Sequence, residues 1–241
     1  MIRKDMVLQA AKLFPESAIV TNGTYGIPSL PGHLVTVSLD GPMALNDPIR
    51  GEGVFAKVRE AIFARDANDG TTVMLQMAVT RENAPGLEDF MAEVADWPIN
   101  GVAFAFYVPT VNDSSGQDWP DLRERDEVLD RVIALKRQYP DIIRSRIATL
   151  ELMKSDVAVE TTGKHGENCV LRRDTQPLYM GTGGQFETPF CCYGNDVDCS
   201  RCGSYEVFNR AYLASQGQDK GARYGRDGAA GVAAIVETAA E

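Results

Sequence analysis

The sequence lacks several features that would assign it to a common class of protein. No stretch of about eighteen apolar residues occurs, so we expect no membrane span. The net charge is −10, with no lysine- and arginine-rich stripe, so we expect no nucleic-acid partner and no anionic membrane surface. No G-x-S-x-G motif supports a Ser–His–Asp hydrolase. The first residues carry too many charges for a signal peptide, which predicts a cytoplasmic protein.

Cysteine is scarce except in one segment. Of the five cysteines, four lie in "FCCYGNDVDCSRCG" (190–203), and Cys169 stands apart from them. In a reducing compartment, closely spaced cysteines indicate metal binding or redox chemistry more than structural disulfides.

Two hydrophobic periodicities alternate along the first 157 residues. Apolar, β-branched runs bounded by turn residues predict strands at 17–24, 33–41, 71–80 and 101–110. Amphipathic patterns predict helices at 4–13, 53–68, 86–97, 123–140 and 142–154. Strands separated by helices in this way are typical of βαβ units and a parallel sheet, so the predicted fold class is α/β.

The composition changes after this region. Residues 158–214 are rich in glycine and cysteine, with a predicted hairpin whose tip is 181–184. Residues 215–241 have low complexity, and we expect this tail to be disordered. The predicted organisation is therefore an α/β domain (1–157), a small cysteine-rich region (158–214) and a tail (215–241).

Several sequence blocks resemble the radical S-adenosylmethionine (radical SAM) family. They are "VTNGT", "VTVSLDGP", "PIRGEGVFAKVREAI" and "MAVTREN", followed by "GGQFETPFCCYG" and "DCSRCG". The resemblance covers about residues 1–210 and implies a partial (βα) TIM-like barrel with a cysteine-rich extension. In that family a CxxxCxxC loop binds a 4Fe–4S cluster that reductively cleaves S-adenosyl-L-methionine.

The chain departs from the family pattern in two places. It contains no CxxxCxxC loop and no GGEP-like segment. We therefore expect a fragment of a radical SAM protein that lacks the first strands and is inactive as an enzyme. Such a fragment would expose a sheet edge, which predicts an oligomer formed through that edge. Its substrate is unknown.

The resemblance also implies residue roles at the ends of the strands, where parallel α/β folds bind ligands. Thr21 and Asn22 match a position near the nucleotide, and Ser38 matches the serine of "SLD". Arg50 matches a basic residue near the cofactor or substrate. Asn83 and Tyr107 follow later strands. Each of these residues is equally typical of a turn, a core position or a surface ion pair.

The cysteines admit more than one metal. Cys199 and Cys202 form a CxxC pair, and the expected ligand set adds Cys191 and Cys169. The resemblance favours an auxiliary 4Fe–4S cluster, and structural zinc is the alternative. Neighbouring side chains of an extended segment point in opposite directions, so we expect only one of Cys191 and Cys192 to be a ligand. The resemblance favours Cys191, with Cys192 buried or as its substitute. We expect His33 and His165 to be loop residues. The alternative function is a non-enzymatic scaffold that binds zinc or a cluster through four cysteines.

Overall fold

A computed structural model describes residues 4–14, 17–180 and 183–217. The chain forms two compact units. The first contains the described residues up to Phe104 together with Val132–Ser145, and the second contains Ala105–Arg131 together with the described residues from Arg146 onward. The domain boundary predicted near residue 157 rests on composition and stays a prediction.

A four-stranded parallel sheet organises the first unit. Its strands, β1 (Ala18–Thr21), β2 (Leu34–Ser38), β3 (Thr72–Val79) and β4 (Gly101–Phe106), lie side by side in chain order. The register pairs Ala18 with Leu34 and Leu34 with Thr72. All four strands were predicted, and the α/β class is confirmed.

Helices flank this sheet and complete its core. The helices of this part of the chain are α1 (Lys4–Leu13), α2 (Met43–Arg50), α3 (Val54–Ala64) and α4 (Leu87–Val94). The apolar face of α3 buries Phe55, Val58 and Ile62 completely. Trp97 packs edge-on against Phe55, with ring centroids 5.7 Å apart, which closes this end of the core. α1, α3 and α4 agree with the predicted positions, whereas α2 was not predicted.

The prediction of a helix over 142–154 is wrong in its first part. Ile142 ends a turn, and Ile143 forms an isolated parallel bridge with Val102 of β4. The Val102 amide donates to Ile142 and the Arg144 amide donates to Val102, each at 2.8 Å. Ile143 is β-branched, which suits this bridge better than a helix. The helix that follows, α6, covers only Ile147–Leu152.

The second unit is built from short elements. It contains α6, α7 (Ala158–Thr162), α8 (Val170–Asp174), β5 (Tyr179–Met180), β6 (Phe186–Glu187) and α9 (Tyr205–Ser215). The helix predicted over 123–140 is α5 (Leu122–Gln138). β5 and β6 pair antiparallel as the predicted hairpin, with Met180 opposite Phe186. Residues 181–182 of its predicted tip lie outside the described residues, as does the predicted disordered tail from 218 onward.

Helices α7, α8 and α9 were not predicted from the sequence. α9 buries Val207 and Phe208 in the second unit. None of the described helices is long and apolar enough to cross a membrane.

Candidate metal centre

The strand-end residues of the first unit form a buried polar network. Arg50 Nε lies 2.8 Å from Asp40 Oδ2, and Asp40 Oδ1 accepts a hydrogen bond from the Ala78 amide at 3.0 Å. Asn83 is fully buried, and its amide donates to the carbonyls of Asp40 and Ala78 at 3.2 and 2.9 Å. The structure thus brings Arg50 and Asn83 to the same aspartate. These bonds join the ends of β2 and β3, which gives both residues a structural role beside any role in binding.

The other strand-end residues of this unit are bonded locally. Thr21 Oγ1 accepts from the Gly23 amide at 3.2 Å. Asn22 is exposed, and its Oδ1 accepts from the Thr24 amide at 3.3 Å, which is the geometry of an Asx turn. Ser38 is half-buried at the end of β2, opposite Gln76. Their predicted roles near a nucleotide stay predictions.

Tyr107 belongs to the second unit and follows β4. Its hydroxyl is hydrogen-bonded with Ser115 and Asp113. Burial raises the pKa of Tyr107 above its ordinary value, and the nearby Asp113 adds to the rise. Tyr107 therefore belongs to a different unit from the other strand-end residues.

Four cysteines line one cavity in the second unit. Cys169, Cys191, Cys199 and Cys202 surround it together with apolar side chains and Arg172. The volume of the cavity is about 20 Å³, which is room for roughly one water-sized sphere. All four cysteines are half-buried free thiols. The segments predicted to meet at a metal are therefore adjacent around a common space.

Three different local structures bring the cysteines to the cavity. Cys169 is the residue before α8, and the amides of Leu171 and Arg172 donate to its sulfur. Cys191 closes a tight loop in which its amide and carbonyl each bond to Gly194 at 3.0 Å. Because backbone amides at a sulfur favour the thiolate, the position of Cys169 suits a metal ligand.

Cys199 and Cys202 bracket a single 3₁₀ turn (Cys199–Arg201). Asp198 caps this turn, since its Oδ1 accepts from the Ser200 amide at 3.0 Å. Thr162 at the end of α7 donates to the Cys199 carbonyl at 3.0 Å. The turn places two thiols on the same side of a short loop, as a CxxC pair does in many metal sites.

Two glycines permit close contacts around this turn. A Cβ on Gly203 would lie 2.3 Å from the Tyr107 carbonyl oxygen, so only glycine lets this backbone approach. Gly166 has a φ of +76°, and a Cβ there would lie 3.0 Å from Cys199 Sγ. Gly166 also lines the cavity. Both positions need glycine for a packing reason that the sequence alone does not show.

The apolar walls disfavour ionisation of Cys169, Cys199 and Cys202. Burial, together with the neighbouring thiols, raises the pKa of Cys199 to about 11 and that of Cys202 to about 12. Burial also raises the pKa of Cys169. A metal that binds here must displace protons, so its affinity will increase as the pH increases through this range.

Two arginines bring positive charge to the site. Arg172 lines the cavity and stacks on Phe190, with its guanidinium carbon 3.8 Å from the ring centroid. Arg125 is buried, and its Nη1 donates to the Cys202 carbonyl at 2.9 Å. Burial lowers the pKa of Arg125 to about 10, which leaves it charged at neutral pH. The cations offset part of the negative charge that four thiolates would carry.

The thiols are not positioned as the ligands of one ion. Within residues 4–14, 17–180 and 183–217, no three side chains of His, Cys, Asp or Glu are grouped so that they could hold a metal ion. A tetrahedral zinc with bonds of about 2.3 Å holds its sulfur ligands roughly 4 Å apart. The four thiols share a cavity but must move to reach that arrangement.

The other candidate ligands lie differently. Cys192 is not among the residues that line the cavity, and His165 is exposed, with its amide bonded to Glu167. Sequence reasoning did not identify Arg125, Arg172, Phe190 or Gly166. An arginine in a charged helix and a glycine in a loop carry no local pattern that marks them as neighbours of a thiol.

Comparison with known proteins gives no family. No family model matches this chain, and a search of the curated proteins finds no match.

Proposed function

We propose that the second unit binds an iron–sulfur cluster through Cys169, Cys191, Cys199 and Cys202. The observation that carries this proposal is that these four cysteines, from three separate segments of the chain, line one cavity. Thiolates are the ordinary ligands of iron–sulfur clusters, and the donor set here is four of them. When bound, such a cluster supplies a site of one-electron transfer.

In a four-iron cluster each thiolate binds a different iron, so the sulfurs stand further apart than around one ion. Among the described residues no three side chains are grouped to hold a metal ion, so the thiols must move to bind either a cluster or a single ion. A cluster is larger than the cavity of about 20 Å³, so binding it requires the segments around the cavity to move outward.

The first unit supports a relationship with radical SAM proteins. Parallel strands in sequential order, with a parallel bridge from β4 to Ile143, are the arrangement that a partial (βα) barrel requires. The lack of a CxxxCxxC loop leaves no three-thiolate cluster site with an open iron in this sequence. We therefore propose a radical SAM-type barrel whose cluster in this chain is auxiliary and does not cleave S-adenosylmethionine.

A second candidate is structural zinc. The small volume of the cavity favours one ion over a cluster of several atoms. In that case the protein would be a four-cysteine scaffold module without redox activity.

Anaerobic reconstitution with iron and sulfide tests the proposal. We expect about four irons per chain and a broad visible absorption from sulfur-to-iron charge transfer. Substitution of Cys199 or Cys202 by Ala should reduce the bound iron at least tenfold, because each removes one of four ligands.

The matched control is Cys192→Ala, which removes a thiol next to Cys191 that does not line the cavity. It should retain most of the iron. Equal loss in Cys192→Ala and Cys199→Ala would contradict the ligand assignment, and stoichiometric zinc with no iron uptake would favour the second candidate.

A further inference from the structure

Cys199 and Cys202 are held at a separation that a disulfide can bridge. They lie at the two ends of one turn, in which the Cys202 amide donates to the Cys199 carbonyl at 3.3 Å. A hydrogen bond from residue i+3 back to residue i keeps the two Cα atoms less than about 7 Å apart. Disulfides join cysteines whose Cα atoms are about 4.4–6.8 Å apart. The backbone therefore places these two residues within reach of each other.

The turn that carries the pair is fixed by its neighbours. Asp198 accepts hydrogen bonds from the amide and the hydroxyl of Ser200 at 3.0 and 2.6 Å. Arg201 Nε lies 2.8 Å from Asp198 Oδ2, and the Thr162 hydroxyl donates to the Cys199 carbonyl at 3.0 Å. These bonds hold the spacing of the pair without any contribution from the sulfurs.

Both cysteines line the same small cavity. Its volume is about 20 Å³, and its other walls include apolar side chains such as Phe190 and Val207. Within the described residues no three side chains are grouped to hold a metal ion, but a disulfide needs only two sulfurs and no additional atom. A disulfide is uncharged, so apolar walls that disfavour thiolates do not disfavour it. The site in its present form thus meets the requirements of a reaction between two thiols.

We infer that Cys199 and Cys202 are a redox-active pair, which a peroxide oxidises to an intramolecular disulfide and a thiol reductant restores. The inference concerns the metal-free chain and does not rest on the proposed function. While the disulfide exists, neither residue can bind a metal as a thiolate. Oxidation of the pair would therefore withhold two of the four proposed ligands.

The oxidation balances with hydrogen peroxide as the oxidant. The Cys199 thiolate attacks one peroxide oxygen and the O–O bond breaks. This step gives a sulfenic acid, and the released hydroxide takes up the thiol proton to become water. The Cys202 thiolate then attacks the Cys199 sulfur, the S–O bond breaks, and a second water leaves in the same way. The two sulfurs lose two electrons, which the two peroxide oxygens gain.

The two thiols differ in how readily they start this reaction. Burial raises the pKa of Cys199 to about 11 and that of Cys202 to about 12. The thiolate is the attacking form of a cysteine. Cys199 ionises more readily than Cys202 and is therefore the first to attack.

Cys169 and Cys191 line the same cavity and are the competing partners. A bond from either of them to the turn would join separate segments of the chain, so it would depend on the tertiary structure. The spacing of Cys199 and Cys202 is set by one local turn. The test must therefore identify the bonded sulfurs as well as count the thiols.

The test oxidises the full chain after a chelator has removed any metal. Under denaturing conditions the reduced protein should react with an alkylating reagent at all five cysteines. After one equivalent of hydrogen peroxide two of these thiols should be protected, and dithiothreitol should restore them. Trypsin cleaves after Arg201, so a bond between Cys199 and Cys202 keeps two peptides together, and fragmentation in the mass spectrometer assigns the two sulfurs.

Substitutions of the pair should abolish this protection. Cys199→Ser and Cys202→Ser should each keep every remaining thiol after the same treatment, because each variant lacks one sulfur of the pair. Cys192→Ser is the matched control, since Cys192 does not line the cavity, and it should form the same bond as the unmodified chain. Loss of the bond in Cys192→Ser overturns the inference, and so does a disulfide that joins Cys169 or Cys191 in place of this pair.

A comparison with the unfolded chain separates the effect of the turn from mere closeness in sequence. At equilibrium with reduced and oxidised glutathione, the bonded fraction measures the stability of the disulfide in the folded protein and in urea. Because the turn prepares the pair, we expect the equilibrium constant to be about tenfold higher in the folded protein. Equal constants, or a folded chain that keeps all its thiols after peroxide, overturn the inference.

This comparison uses the unmodified chain, so it decides the matter even where a variant does not fold. It also involves no iron. A chain that takes up no iron on reconstitution contradicts the proposed function alone, and a chain that forms no such disulfide contradicts this inference alone.

Discussion

At the scale of single residues, Gly166 is a position where added volume should affect the cysteine cavity directly. Two separate constraints apply there. The φ of Gly166 is +76°, and a Cβ added to it would lie 3.0 Å from Cys199 Sγ. An Ala in the left-handed region costs about 1–2 kcal/mol wherever it occurs. The contact with the sulfur acts on the site itself.

Gly166→Ala should therefore reduce iron binding in addition to lowering stability. The matched control is Gly116→Ala, which has a φ of +74° but nothing within 4 Å of its Cβ. We expect a comparable loss of conformational stability in both variants and a several-fold loss of bound iron in Gly166→Ala only. Thermal melting and iron determination give the two quantities, and equal iron in both variants would refute the packing argument.

The thiols show how burial and metal binding oppose each other at this scale. A buried thiol resists ionisation, and a metal requires the thiolate. Backbone amides at Cys169 and the guanidinium near Cys202 act in the direction that a metal needs. The tertiary structure brings these amides and this guanidinium to the thiols. The sequence could therefore indicate the candidate ligands but not the groups around them.

At the scale of elements, Asp47 connects α2 to α3. Its carboxylate accepts from the amides of Gly53 and Phe55 at 2.8 and 2.9 Å, which are free donors at the start of α3. Burial by itself raises the pKa of Asp47, but the bonds from Phe55, Asn46 and Gly53 outweigh it, and the pKa is lowered. Asp47 is thus a helix cap supplied from a neighbouring helix.

Asp47→Ala should destabilise the first unit by about 1–2 kcal/mol, the usual cost of losing such a cap. Because the pKa of the folded state is lowered, the stabilisation exists above the ordinary aspartate pKa and is lost as the pH falls through the folded value. Urea unfolding at several pH values measures both effects. Asp47→Asn, which keeps an acceptor, should lose less stability and less of the pH dependence. A cost for Asp47→Ala that does not shrink in acid would contradict this role.

The elements also show which sequence signals are reliable. β3 is a long, mostly apolar run buried on both faces, and such runs identify central parallel strands well. α2 was missed because Pro48 lies inside it and Gly51 follows it, and both residues are usually read as helix breakers. The pairing of residues 142–144 with β4 could not be predicted, since it depends on a distant strand.

At the scale of the whole molecule, four cysteines mark the place where several segments of the second unit meet around one cavity. The hairpin strands β5 and β6 have two residues each, and their side chains are exposed. Isolated hairpins of this size are marginal in water. A bound metal would connect this hairpin region to α8 and to the Cys199–Cys202 turn, and binding energy would then become folding energy.

The sequence could indicate a shared site because four cysteines stand out by composition alone. It could not decide between a cluster and zinc, because both use four thiolates and the choice depends on spacing and cavity volume. The identity of the metal is therefore the central claim to test.

Iron K-edge X-ray absorption of the anaerobically reconstituted chain tests that claim most directly. The spectrum reports the atoms around each iron and distinguishes a cluster from a single ion. We expect each iron to have sulfur neighbours and a second iron at a short distance. We expect the Cys192→Ala variant to give the same spectrum. Iron surrounded by sulfur without a second iron, or a protein that retains no iron, would contradict it.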